Sequence, residues 1–69
     1  MKRELVTSST IRAIGYDKDR RVLEIEFLTG SVYQYFDVPE AVFTEILRAS
    51  SAGQYLNANI RGQYRYGRV

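Results

Sequence analysis

The sequence predicts an α+β domain in which a three-stranded antiparallel meander is followed by two helices packed on one face of the sheet (β-β-β-α-α). Alternating apolar and polar residues, separated by turn residues, occupy the first half of the chain, a pattern typical of half-buried strands. Apolar residues at helical spacing follow in residues 39–60. Strands that precede helices are typical of the α+β class. A chain of 69 residues predicts one domain, residues 1–69.

The first two strands are predicted at residues 10–16 and 22–27. The alternation in the first is imperfect, so the pattern leaves open which face Ile14 occupies. The second strand alternates cleanly, and its glutamates are predicted to face water, as in an antiparallel sheet with one solvated face. Its apolar side carries Leu23, Ile25 and Phe27, and its acidic side carries Glu24 and Glu26.

The turn before the third strand decides which face carries Tyr33 and Tyr35. If residues 29–30 form a two-residue turn, both tyrosines share a face with the glutamates. If residues 28–30 form a three-residue loop with a bulge, the tyrosines join the apolar face. We favour the loop, because it requires a positive φ only at Gly30, whereas the two-residue turn also requires one at a β-branched threonine.

Two helices are predicted after the third strand. The first covers residues 39–50, with Pro39 at the first helical position. The second begins at Ser51, because Ser51 and Gln54 match the capping-box pattern. Gly62 is predicted to end it.

The two ends of the chain differ in charge. Residues 1–8 are predicted to be a lead-in, and residues 63–69 a basic aromatic tail that forms either a short edge strand or a mobile arm. Residues 1–45 hold six basic and eight acidic side chains, a net charge of −2, whereas residues 46–69 hold four arginines and no acid, a net charge of +4. Such asymmetry indicates a polyanion partner; the alternative is a solvated basic terminus.

Arginine interleaved with tyrosine suits nucleic acid, because arginine neutralises phosphate and tyrosine stacks on bases. The predicted nucleic-acid-binding residues are Arg61, Tyr64, Arg65, Tyr66 and Arg68.

The composition argues against most catalytic chemistry. The chain has no cysteine and no histidine, which excludes disulfides, the usual zinc-ligand sets and nucleophiles activated by histidine. We therefore predict no enzyme activity, no metal and no cofactor. No apolar run approaches the length of a membrane span, and we predict a cytoplasmic protein with no membrane partner.

Two spaced motifs carry a resemblance to a known family. The first runs from Leu23 to Pro39 and contains Tyr33-x-Tyr35, and the second runs from Ala49 to Tyr64. On these motifs, residues 8–66 resemble the KTSC domain, named for the C-terminal region of some lysyl-tRNA synthetases and also found as a stand-alone short bacterial protein. The resemblance implies the architecture, suggests RNA binding through the synthetase context, and implies no catalytic residues. The motif residues, interpreted as structural, are Tyr33, Tyr35, Val38, Pro39, Ser51, Gly53 and Asn57.

Two functions are therefore predicted. The first is a small RNA-binding module whose partner is tRNA or single-stranded RNA. The second is a protein-interaction module or small homodimer with no nucleic-acid role, in which Val32, Phe36 or Ile14 forms an apolar patch on the sheet face opposite the helices.

Overall fold

A five-stranded antiparallel sheet carries two helices in the computed structural model, which describes residues 1–69. The strands follow one another across the sheet in chain order, and both helices lie in the connection between the fourth and fifth strands. The α+β class is confirmed, but the number of strands was predicted wrongly. The elements are β1 (Arg3–Leu5), β2 (Ile11–Asp17), β3 (Val22–Phe27), β4 (Val32–Tyr35), α1 (Glu40–Arg48), α2 (Ala52–Asn59) and β5 (Tyr66–Arg68).

The two additional strands, β1 and β5, form the edges of the sheet. Arg3 lies opposite Gly15 in the β1–β2 pair, and Tyr66 lies opposite Tyr35 in the β4–β5 pair. Each edge strand has three residues, too few to show the alternation that reveals longer strands. Of the two structures considered for the C-terminal tail, the edge strand is the one that forms.

The β3–β4 hairpin has the three-residue loop. Ile25 lies opposite Tyr33, the Phe27 amide donates to the Ser31 carbonyl at 2.9 Å, and the Gly30 amide donates to the Phe27 carbonyl at 2.9 Å. Gly30 has a φ of 95°, in the region that favours glycine. The predicted register is therefore confirmed, and Tyr33 and Tyr35 face the helices.

The core lies between the sheet and the two helices. Tyr16 joins these layers, because its hydroxyl donates to the Val38 carbonyl and its ring stacks on Phe43 with centroids 5.4 Å apart. The buried core residues are Ile11, Ile14, Leu23, Ile25, Tyr35, Val38, Ile46, Ala52, Leu56 and Ile60.

A bulge in β2 corrects one predicted position. The register shifts between Ile11 and Ala13, so Arg12 is an extra residue that reverses the alternation. Ile14 is consequently opposite Ile25 on the helix face and is 0% exposed. The prediction that Ile14 contributes to an apolar patch on the opposite face is therefore wrong.

The helix ends follow local rules. Pro39, which has extended backbone, is the N-cap of α1 and not its first helical residue as predicted. Helix α1 ends at Arg48. The cap of α2 is confirmed, because the Ser51 hydroxyl accepts from the Gln54 amide at 3.2 Å. Gly62 has a φ of 79° and turns the chain towards β5. No helix combines the length and apolar character that crossing a membrane requires.

Glu24 departs from the predicted solvated face. Glu24 is only 7% exposed, because the side chains of Arg3 in β1 and Gln34 in β4 reach its carboxylate. The Nε of Arg3 donates to Glu24 Oε2 at 2.6 Å, its Nη1 donates to Glu26 Oε1 at 3.0 Å, and Gln34 Nε2 donates to Glu24 Oε1 at 2.9 Å. Burial alone would raise the pKa of Glu24, but the hydrogen bonds from Gln34 and Arg3, together with the positive charge of Arg3, outweigh it and hold the pKa below its ordinary value of 4.5.

We predict that Gly30→Ala destabilises the fold by roughly 1–2 kcal/mol, the cost of a left-handed conformation for a residue with a Cβ. No atom lies within 4 Å of a Cβ built at Gly30, so the loss is attributable to the backbone. Urea unfolding measures it. Thr29→Ala in the same loop is the control and should unfold close to the wild type; an unchanged stability in Gly30→Ala would contradict the loop conformation.

We predict that Glu24→Gln lowers the free energy of unfolding at neutral pH by about 1.5 kcal/mol. This value is the lower end of the range for hydrogen bonds to charged groups, and we choose it because Arg3 is partly solvated. A carboxylate with a lowered pKa stabilises the fold above its unfolded pKa, and this stabilisation is lost as the pH falls through the lower folded pKa. The variant should therefore lose less stability than the wild type between neutral pH and pH values below 4.5. Equal losses in thermal unfolding across this range would contradict the assignment.

Candidate nucleic-acid interface

An open cleft lies on the helix face, where β4 and β5 meet the end of α2. Its volume is about 390 Å³. We call it the tyrosine cleft, and it is lined by Tyr33, Tyr35, Arg61, Gly62 and Tyr66.

The rings of the tyrosine cleft brace one another. The Tyr66 centroid is 5.6 Å from that of Tyr33 at an interplanar angle of 28°, and 5.7 Å from that of Tyr35. Phe27 packs edge-on against Tyr33 at 5.6 Å. Tyr66 is 62% exposed whereas Tyr35 is 3% exposed and Tyr33 is partly buried, so a solvent-facing ring rests on one buried and one half-buried ring. Such a ring presents a surface on which a planar base stacks.

Two arginines flank these rings. Arg61 lines the cleft, and its guanidinium carbon is 6.0 Å from the centre of the Phe27 ring. Arg68 lies opposite Tyr33 across the β4–β5 pair, and its Nη2 donates to the Ser31 hydroxyl at 3.0 Å. The ion pairs of the structure involve Arg3, Arg12, Arg20 and Arg65, so the charges of Arg61 and Arg68 are not neutralised by carboxylates.

The pKa of the Tyr35 hydroxyl depends on its burial and on its proximity to Arg61. Burial raises the pKa of Tyr35, and the nearby positive charge of Arg61 partly opposes that rise.

A second cavity adjoins the tyrosine cleft and shares Tyr33 and Arg61 with it. We call it the hydroxyl pocket; its volume is about 410 Å³. Its polar lining consists of Ser9, Thr10, Thr29, Ser31, Asn57 and Arg61, and no carboxylate lines either cavity. Gly53 also lines this pocket, and a Cβ added there would lie 2.8 Å from the Thr10 hydroxyl oxygen. Glycine at this position therefore allows α2 to approach the β1–β2 loop.

The structure divides the residues predicted to bind nucleic acid. Arg61 and Tyr66 line the cleft, and Arg68 lies beside it, opposite Tyr33 in the β4–β5 pair. Arg65 does not line the cleft. Its Nη2 is 3.2 Å from Asp37 Oδ2, and its guanidinium carbon lies 5.8 Å from the centre of the Phe36 ring. Tyr64 is half-buried and packs against the core.

The predicted motif residues also separate into two groups. Tyr33 and Tyr35 line the tyrosine cleft, and Gly53 and Asn57 line the hydroxyl pocket. The others belong to the helix starts: Val38 is enclosed in the core, Pro39 caps α1 and Ser51 caps α2.

Sequence reasoning did not place Arg61 against the tyrosine motif, and it assigned no role at the site to Phe27 or Ser31. One signal was present, because Gly53, Asn57 and Arg61 are spaced by four residues and so share one face of a continuing helix.

These features define a small α+β domain with a basic aromatic cleft beside an edge strand. The chain belongs to the KTSC domain family, whose model matches residues 7–64. The resemblance noted from the sequence is thereby confirmed.

The known relatives include stand-alone proteins and part of an enzyme. An uncharacterised protein of Stutzerimonas stutzeri is 41% identical over 70 residues, covering 100% of this chain and 99% of that protein. The crystal structure of a KTSC domain protein from Yersinia pestis superposes with a TM-score of 0.95 at 38% identity, covering 99% of this chain and 96% of the other. A lysine–tRNA ligase of a Nostoc species is 43% identical over 58 residues, which are 84% of this chain but 10% of the ligase.

We predict that Arg61→Ala raises the pKa of the Tyr35 hydroxyl further, because it removes the positive charge that opposes the effect of burial. An NMR titration of the tyrosine ring signals measures the change. Arg65→Ala is the matched control, since Arg65 pairs with Asp37, and it should leave Tyr35 unaffected. A Tyr35 pKa that is unchanged or lowered in Arg61→Ala would contradict the proximity of these two groups.

Proposed function

We propose that this protein binds RNA, with an unpaired base stacked in the tyrosine cleft and phosphates held by Arg61 and Arg68. The observation that carries the proposal is the convergence of an exposed, braced Tyr66 ring with two arginines that have no carboxylate partner. Stacking and phosphate neutralisation are the two contributions on which single-strand binding depends.

The shape of the site favours unpaired RNA over a duplex. Bases in a duplex are stacked on one another, whereas loops and single strands offer a free face to an aromatic side chain. The cleft is open beside the edge strand β5, so a single-stranded RNA can enter it from the side. Two arginines neutralise few phosphates, and binding is therefore weak and sensitive to salt.

The comparisons support RNA among the possible polyanions. A segment similar to most of this chain forms part of a lysine–tRNA ligase, a protein named for a tRNA substrate. The segment is a small fraction of that enzyme, and we transfer only an affinity for RNA, with tRNA and single-stranded RNA as the ligands to test.

We predict that affinity for labelled single-stranded RNA and tRNA falls with salt, and that removing Arg61 or Arg68 makes the logarithmic salt dependence shallower by about 0.7 per lost phosphate contact. Fluorescence anisotropy at several salt concentrations measures the slope. Arg65→Ala removes the same charge outside the cleft and should retain the wild-type slope.

Two variants of Tyr66 test the contribution of base stacking to RNA binding. Tyr66→Ala should cost about 1–3 kcal/mol of binding free energy, whereas Tyr66→Phe keeps the ring and should bind like the wild type. An absence of RNA binding at low salt, or an equal loss in Arg65→Ala and Arg61→Ala, would reject the proposal.

Association with a second copy or another protein is the second candidate, favoured by the β1 edge. Leu5 is 80% exposed, and a groove beside it is lined by Val6, Ile46 and Leu47. The exposed side of an edge strand accepts further strands. Light scattering over a range of concentrations tests the homodimer form: Leu5→Lys should abolish any dimer, and a wild type that is monomeric at every concentration would exclude it.

A further inference from the structure

The two cavities meet at shared residues. Tyr33 and Arg61 line both the tyrosine cleft and the hydroxyl pocket, so a ligand that fills one cavity can continue past Arg61 into the other. Each has the volume of a small-ligand site. A guanidinium between two cavities is placed to hold the phosphate that joins two nucleotides.

The hydroxyl pocket differs in chemistry from its neighbour. The tyrosine cleft offers ring faces, which stack on any base without distinguishing them. The hydroxyl pocket offers hydroxyl groups and the Asn57 carboxamide. Hydrogen bonds from such groups to a base edge do distinguish one base from another.

Asn57 is the group best placed for such recognition. Its side chain is exposed and takes part in no hydrogen bond within the protein, although Asn59 on the same helix donates to the Tyr55 carbonyl at 3.4 Å. An asparagine carboxamide with both groups free matches adenine, since its oxygen accepts from N6 while its nitrogen donates to N7.

We infer that the hydroxyl pocket is a base-reading subsite in which Asn57 recognises adenine, and that the site as a whole takes two consecutive nucleotides. The first base stacks in the tyrosine cleft, Arg61 holds the linking phosphate, and the second base enters the hydroxyl pocket. This inference rests on the proposed RNA-binding function and adds to it a ligand length and a base preference.

The experiment compares RNA dinucleotides UU, AU, UA and AA by NMR titration. We expect either AU or UA, but not both, to bind about tenfold more tightly than UU, within the range that one bidentate base contact provides. Asn57→Ala should reduce that ratio to near one. It should also remain folded, because alanine is a better helix former than asparagine. Asn59→Ala makes the same chemical change outside both cavities and should preserve the ratio.

The outcomes separate the two proposals. Equal binding of all four dinucleotides, or an adenine preference that survives in Asn57→Ala, overturns base reading while leaving RNA binding intact. Binding of longer single-stranded RNA without binding of any dinucleotide overturns the two-nucleotide site alone. Failure of every RNA to bind overturns both the inference and the proposed function.

Discussion

The loop from Leu28 to Gly30 sets the register on which the rest of the site depends. Because side chains alternate along a strand, a hairpin one residue shorter would turn Tyr33 and Tyr35 away from the helices. The observed loop instead places them opposite Ile25 and Leu23. Strand β5 then pairs with β4 and brings Tyr66 against Tyr35 and Arg68 against Tyr33. The positive φ of one glycine thus fixes the position of side chains almost forty residues further along the chain.

Arginines serve different purposes on the two faces of the sheet. On the face opposite the helices, Arg3 is committed to Glu24 and Glu26, and this ion-pair network attaches β1 to the sheet. Beside the helices, Arg61 and Arg68 have no carboxylate partner, and their neighbours are rings and hydroxyl groups. The small net charge of +2 therefore conceals a local concentration of available positive charge at one edge of the sheet.

Long patterns and local caps were predictable from the sequence, whereas features that depend on distant residues were not. The alternation of β3 and the Ser51 cap need only near neighbours, and both are present. The burial of Glu24 depends on Arg3, which is 21 positions away, and the position of Ile14 depends on a bulge that the alternation does not reveal. Composition singled out the arginine-rich end as a group, but it does not distinguish Arg61, at the cleft, from Arg65, which pairs with Asp37.

Strand β5 is short, lies at an edge, and reaches its partner only after both helices have been traversed. Such strands belong to the least stable parts of a fold and open by local fluctuations without global unfolding. Each opening withdraws Tyr66 and Arg68 from the cleft while leaving Tyr33 and Arg61 in place. A ligand that contacts both Tyr66 in β5 and Tyr33 in β4 would hold the two strands together and would slow amide hydrogen exchange in β5 more than in the core.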